Sequence, residues 1–476
     1  MNDLASHFEA VGTFIERAAD WFAYPLVAVL MATGLFFTIR LRFVQVTRFR
    51  EAIRETIASK QTGANGPLSP LQAFMTSLAA TIGTGNIAGV ATAIVSGGPG
   101  ALFWIWCYGF FAMATKFSEA VLGMHFRSAT EDEVLAGPMY YLRDGLRSPA
   151  LAWIFALVAG IGVVFTTPLS QTNSVAVVIS SQLDQYHLSL GRSHFGNLEI
   201  NRDRLAVGVV LAVLTWLVIV HGIKSIGRAA EALSPLKVGL YLVGGAIVIG
   251  LNIGELPEVL KMVFSEAFSM RAAAGGAAGW SVMIIAVRYG VARGVYANEA
   301  GYGTAAVAYG TAKSQRPEQQ GLAAMMEVFL ISFVTSSISA LSILLTGVWK
   351  SGATSSAAVA EAFNTTIPTI GGWMVVVSVF LFGYTVLIGW SFYGEQFFEY
   401  LFGPKVIPAY RWLYCLLIPL GAMAKVDAVW AWGDIFNGLQ VFPNVIGLIA
   451  LSGIAAGYAR SRQGSTSRDR NTPPTE

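Results

Sequence analysis

The sequence predicts an all-α protein that crosses a membrane many times. Three observations carry that expectation. Apolar residues make up 54% of the 476, and charged residues only 12%, about half the usual share of a soluble domain. The apolar residues gather into eleven runs, most near the roughly 20 residues needed to cross hydrocarbon. The second run, 71–97, is interrupted at Gly83-Thr84-Gly85-Asn86. Backbone that leaves the helix in mid-bilayer bares amides and carbonyls, so it survives only where it lines a cavity or meets a polar ligand.

The first run, 21–45, follows acidic Asp3 and Glu9 and lacks a basic start and a small-residue cleavage site. It reads as an uncleaved span rather than a signal peptide. The basic stretch 40–60 is a juxtamembrane anchor, not a nucleic-acid surface. After run 71–97, Gly97-Gly98-Pro99-Gly100 makes a tight turn into run 100–125, because proline between glycines cannot continue a helix. Run 150–181 carries Thr166-Thr167-Pro168, Gln171 and Asn173; runs 205–221 and 233–252 follow a polar external loop at 183–204. Run 278–297 is short and glycine-bounded, holds Arg288 and Arg293, and leads into Asn298-Glu299-Ala300-Gly301. Run 320–348 is rich in hydroxyls, and 351–370 reads as a short amphipathic helix outside, suited to be a lid. Runs 371–401, 408–424 and 437–458 complete the series, and the Ser/Arg/Pro-rich tail 461–476 reads as a disordered cytoplasmic end.

With no room for a soluble domain between runs, 1–460 is one transmembrane domain. Setting the first span aside leaves ten, which divide into five plus five: a first repeat at about 71–252 and a second at about 278–458. Each repeat then begins with an interrupted helix, the sequence mark of a central transporter site. About 20 of the 31 basic residues, among them Arg40, Arg48, Arg54, Lys60, Lys224, Arg228 and Lys237, are assigned to loops on one side. The positive-inside rule makes that side cytoplasmic, so the N-terminus is outside and the C-terminus inside.

The site follows from the break. A restarted helix presents unpaired amides and partial positive charge, which hold a carboxylate without arginine. Thr81, Gly83, Thr84, Gly85 and Asn86 form that segment, with Thr84 or Asn86 as its cap. The carbonyls before the break, Ala79 to Ile82, suit a small cation, to which Thr385 adds an oxygen. Trp390 walls a small pocket. Gln171 either bridges helices or faces the substrate. Arg288, Arg293 and Glu299 are either an inner gate of salt bridges near the cytoplasmic end of their span or a static pairing. Lys116 and Glu119 read as a structural i,i+3 pair. Cys107 and Cys415 lie inside apolar runs, the five histidines have no metal-ligand spacing, and no Walker A motif occurs. An enzyme, a bound cofactor and a nucleic-acid partner are therefore not expected.

Several blocks resemble one family. Residues 77–106, SLAATIGTGNIAGVATAIVSGGPGALFWIW, resemble the signature of the alanine or glycine:cation symporters, also called sodium:alanine symporters. The resemblance continues at Lys116-Phe117-Ser118-Glu119-Ala120, Gly137-Pro138-Met139-Tyr140-Tyr141, Gln171-Thr172-Asn173-Ser174, Val291 to Gly301 and Gly389-Trp390-Ser391-Phe392-Tyr393-Gly394-Glu395. It implies a leucine-transporter-type 5+5 inverted repeat with one extra N-terminal helix, eleven in all, in a bacterial-type inner membrane. It implies uptake of a small neutral amino acid, alanine or glycine, coupled to sodium and sometimes to protons. By that resemblance Thr84, Gly85, Gln171 and Trp390 line the amino-acid site, and the carbonyls of Ala79, Ile82 and Phe382 with the Thr385 hydroxyl hold sodium. The chain departs from the family at Val386, where a hydroxyl is usual, and at Ile331, where an aspartate is usual. A proton-coupled or uncoupled transporter, a channel, and a non-transporting sensor are the alternatives.

Overall fold

The computed structural model describes residues 2–58, 65–129, 133–195, 198–269, 282–424 and 426–461. Residues 462–476 of the expected disordered tail and the start of run 278–297 lie outside them. Helices dominate. Helix α1 (Asn2–Arg40) leads through a short amphipathic helix, Phe49–Ala58, to the interrupted span. There α2 (Pro70–Thr81) opens on a capping box. Ser69 Oγ accepts the Gln72 amide at 3.1 Å and Gln72 Oε1 accepts the Ser69 amide at 3.0 Å, which satisfies two donors that a helix start leaves bare. The span resumes as α3 (Ala88–Gly97). The halves meet at 62°.

Helix α4 (Ala101–His125) follows the proline turn, then α5 (Pro149–Gln185), α6 (Arg202–Ile219) and α7 (Ile223–Leu251). A second interrupted helix is built from α8 (Val282–Asn298) and α9 (Thr304–Gly310). Next come α10 (Pro317–Phe329), a π-helical turn at Leu330–Thr335, and α11 (Ser336–Leu345). Helix α12 (Ser355–Thr366) occupies the segment read as a lid. The chain ends with α13 (Ile370–Phe402), α14 (Ile407–Met423), α15 (Val426–Leu439), α16 (Val441–Ala450) and α17 (Ser452–Arg460).

Among the described residues six helices are long and apolar enough to cross a membrane, or up to eight if each bent pair is one span. Large apolar side chains such as Val209, Val213, Leu217, Leu236, Val243, Leu413, Leu416 and Leu420 are exposed on α6, α7 and α14. An exposed apolar belt of that extent belongs in lipid. The interior combines buried apolar side chains with small and polar residues at close helix crossings, which let helices approach closely. A Cβ on Gly123 would meet backbone of Ala306 at 2.4 Å, and one on Gly389 would meet Ala80 at 2.7 Å.

Three expectations need correcting. The polar loop at 183–204 contains an antiparallel hairpin, Arg192–Phe195 with Leu198–Asn201, and a smaller hairpin pairs Ser128–Ala129 with Val134–Leu135. The seventh run does not stop at Ala297; it passes a break at 299–303 and continues as α9. Lys237 is not in a loop. Helix α7 begins at Ile223, well before the apolar run 233–252, carries Pro235 inside it and buries Lys237 completely.

Candidate functional site

The first break is held by its own polar atoms. Ile82 leaves the helix at φ −76°, ψ 87°, Gly83 is extended, and Thr84–Asn86 form one 3-10 turn. Asn86 is the fastener: its Nδ2 reaches the carbonyls of Thr81 (3.3 Å) and Gly83 (3.5 Å), while its own carbonyl accepts Ser339 Oγ at 2.6 Å. Gln171 on α5 reaches across to the same turn. Its Oε1 accepts both the amide and the hydroxyl of Thr84 at 3.0 Å, so it bridges helices and also lines the cavity beside the break.

A small cavity of about 10 Å³ lies against the break, room for about one water. Thr81, Gly83, Gly85, Gln171 and Trp390 line it, as do Tyr296, Tyr302, Glu299, Thr167, Val386 and Asn437. Thr84 and Asn86 lie behind this wall, buried. Glycine is required on the near side: a Cβ on Gly85 would sit 2.7 Å from the Tyr296 ring, and one on Gly83 would sit 2.7 Å from Val386 and 2.9 Å from Gln171 Oε1. Opposite, Glu299 accepts Trp390 Nε1 at 2.8 Å on one oxygen and Thr304 Oγ1 at 2.8 Å on the other. The cavity therefore has Gly83 and Gly85 of the first break on one side, with the Thr84 amide covered by Gln171, and the Glu299 carboxylate of the second break on the other.

The cation cradle before the break holds a lysine. Lys237 Nζ donates to the carbonyls of Ile82 (2.7 Å) and Ala79 (3.1 Å) and to Thr385 Oγ1 (2.7 Å), with Leu78 O at 3.4 Å. Thr385 passes its own proton to Phe382 O at 3.0 Å, which leaves its lone pairs for the ammonium. The Phe382 ring centroid lies 5.4 Å from Nζ. The residues expected to surround sodium thus do converge, around an amine from α7.

The other charges are arranged differently from the expected pairs. Lys116 pairs with Glu327 at 3.2 Å and donates to Asn298 O at 2.7 Å; Glu327 also accepts Ser77 Oγ and Tyr309 OH, each at 2.7 Å. Glu119 turns elsewhere. Its Oε1 caps the second break by accepting the amides of Gly301 (2.8 Å) and Gly303 (3.1 Å), and Asn444 Nδ2 at 2.9 Å. The three gate residues are not brought together. Arg288 lies over the rings of Tyr24 and Tyr289, Arg293 faces Asp434 on α15 at 3.4 Å, and Glu299 turns into the cavity.

Reading the sequence missed Tyr296, Tyr302, Thr167, Asn437 and Lys237 at the site. Tyr296 lay within the recognisable block that ends at Gly301; Lys237 had only its position in an apolar stretch as a signal.

Comparison with known proteins agrees with this architecture. The model of the sodium:alanine symporter family matches residues 8–473. A sodium/alanine symporter, AgcS, of Methanococcus maripaludis is 38% identical over 469 residues, 96% of this chain and 97% of that one. The amino-acid carrier protein AlsT of Bacillus subtilis is 31% identical over 465 residues, covering 95% and 93%. A crystal structure of a manganese transporter variant from Eremococcus coleocola superposes with a TM-score of 0.52 at 16% identity over 83% of each chain, a likeness of fold alone. The helical fold is that of a multi-pass membrane transporter, and the chain belongs to the sodium:alanine symporter family.

Proposed function

We propose that this protein carries a small neutral amino acid, alanine or glycine, across a cell membrane by alternating access. The observation that carries the reading is the cavity between two interrupted helices, with Gly83, Gly85 and Gln171 on one side and the Glu299 carboxylate on the other. A zwitterion has the complementary pair of charges. Its carboxylate suits the amides around Gly83 to Gly85 once Gln171 swings off Thr84, and its ammonium suits Glu299. Tyr296, Tyr302 and Trp390 wall the cavity closely, which favours a substrate with a short side chain.

The reading also takes the chain to cross the membrane eleven times, with α1 as an extra span before two repeats of five. An interrupted helix at the start of each repeat, α2–α3 and α8–α9, supports that division. It places the N-terminus outside and the C-terminus in the cytoplasm of a bacterial-type inner membrane. The Methanococcus maripaludis relative is named for sodium and alanine, which supports this substrate class.

The test is exchange of labelled alanine across proteoliposomes preloaded with unlabelled alanine, which needs no ion gradient. Saturable exchange above empty liposomes is expected. Its absence at all alanine concentrations overturns the reading.

A further inference from the structure

We propose that the ammonium of Lys237 replaces the coupling cation at the first break, and that the ion exchanged there is the lysine's proton rather than sodium. The inference rests on the transport reading above and concerns what drives it.

The geometry is that of an occupied cation site. Three short contacts, to Ala79 O, Ile82 O and Thr385 Oγ1, match the three hydrogens of an ammonium. These oxygens are carbonyls and a hydroxyl, the hard donors that a small cation otherwise takes. A sodium ion and this nitrogen cannot share the space. Lys237 is fully buried, its stem running inward from α7 to the helices α2 and α13 that it ties together. Its charge sits at the carbonyl end of a helix, where positive charge is stabilised.

What can be exchanged here is a proton. Deprotonation breaks one Nζ–H bond; the electron pair stays on nitrogen and the proton passes to a water molecule admitted as the helices rock. The neutral amine has two hydrogens for three acceptors, so one carbonyl of the break is released and the grip between α7 and α2 loosens. Charged and titratable groups around it are otherwise committed. Glu327 on α10 acts on Lys237 from a distance, but is paired with Lys116 and bonded to Ser77 and Tyr309. Tyr241, one turn along α7, bonds Ser339 of α11. Helix α2 has no charged residue, α12 has Glu361, and α13 has Glu395 and Glu399 toward its far end, Glu395 being paired with Arg411. No carboxylate lies within salt-bridge distance of Nζ among the described residues, so its proton is not locked by a counter-ion.

Two measurements test the proposal on the full-length protein. In the first, thermal unfolding of purified protein is followed with sodium chloride or choline chloride. The wild type should show no sodium-specific shift, while Lys237→Ala, which empties the cradle, should gain one. A sodium-specific stabilisation of the wild type that Lys237→Ala leaves unchanged would overturn the proposal. In the second, alanine accumulation in proteoliposomes is driven by a proton or a sodium gradient. The wild type should respond to the proton gradient by at least about fivefold, a typical coupling, and be indifferent to sodium. Lys237→Arg should lose proton-driven accumulation, since a guanidinium keeps its charge. Sodium-driven accumulation by the wild type would overturn the inference while leaving the transport reading intact; failure of gradient-free exchange would instead strike the transport reading itself.

Discussion

Gly85 and Gln171 are the two residues at which the candidate site can be disturbed most directly. A side chain at 85 must displace the Tyr296 ring, which closes one wall of the cavity. Gly85→Leu should abolish alanine binding while the protein still inserts and elutes as a monodisperse peak; unchanged affinity in a binding assay would mean the turn does not touch the ligand. Gln171 offers a neutral oxygen to Thr84. Gln171→Glu makes that oxygen anionic and sets it against the substrate carboxylate. Affinity for alanine should fall by about tenfold or more, or at least about 1.4 kcal/mol, measured by competition with labelled alanine. At this scale the sequence was informative where it broke a rule. Two glycines and an asparagine in an apolar run announced the turn, and Trp390 lines the cavity beside it. Lys237 broke a rule too, but a lysine near a proline is the ordinary mark of a span's end. Only the tertiary arrangement of α2 and α13 supplies the oxygens that let it stay inside.

Helices in this protein are joined by buried polar links as much as by apolar packing. Ser77 on α2, Lys116 on α4, Asn298 on α8, Tyr309 on α9 and Glu327 on α10 form one network. Its ion pair is fully buried. Removing one partner strands the other's charge, at a cost of about 3–5 kcal/mol. Lys116→Met should therefore unfold at a clearly lower temperature in detergent, and adding Glu327→Gln should restore much of the loss. Equal stability of the single variant and the wild type would count against a charged pair. The network was not legible beforehand. Lys116 and Glu119, three residues apart on one helix, suggest each other by spacing, yet the helix aims them at different neighbours. The extent of α8 was hidden for a related reason: the family block was visible, but nothing in it said that the helix stops at Asn298 and starts again at Thr304.

Across the whole molecule, the exposed apolar belt and the interrupted helices set up an orientation that can be measured. With Cys107 and Cys415 replaced, Leu190→Cys should react with a membrane-impermeant maleimide in intact cells, and Lys405→Cys should react only after the membrane is opened. Leu190 lies in the segment between α5 and α6, and Lys405 between α13 and α14; both are exposed. The reverse pattern would invert the proposed topology. Most of the architecture was open to sequence reasoning because bilayer thickness imposes a length on each apolar run. The full lengths of α1, α5 and α7 were not, since helices extend past the hydrocarbon into segments whose composition no longer signals them. A last consequence belongs to Asn444. It grips Glu119 and the carbonyl of Gly301 at 2.8–2.9 Å and meets the hydroxyl of Tyr141. The chain's end is thereby stitched to the second discontinuity, so synthesis halted after Gln440 would leave the unwound residues 299–303 without their brace, however completely the preceding portion had been inserted.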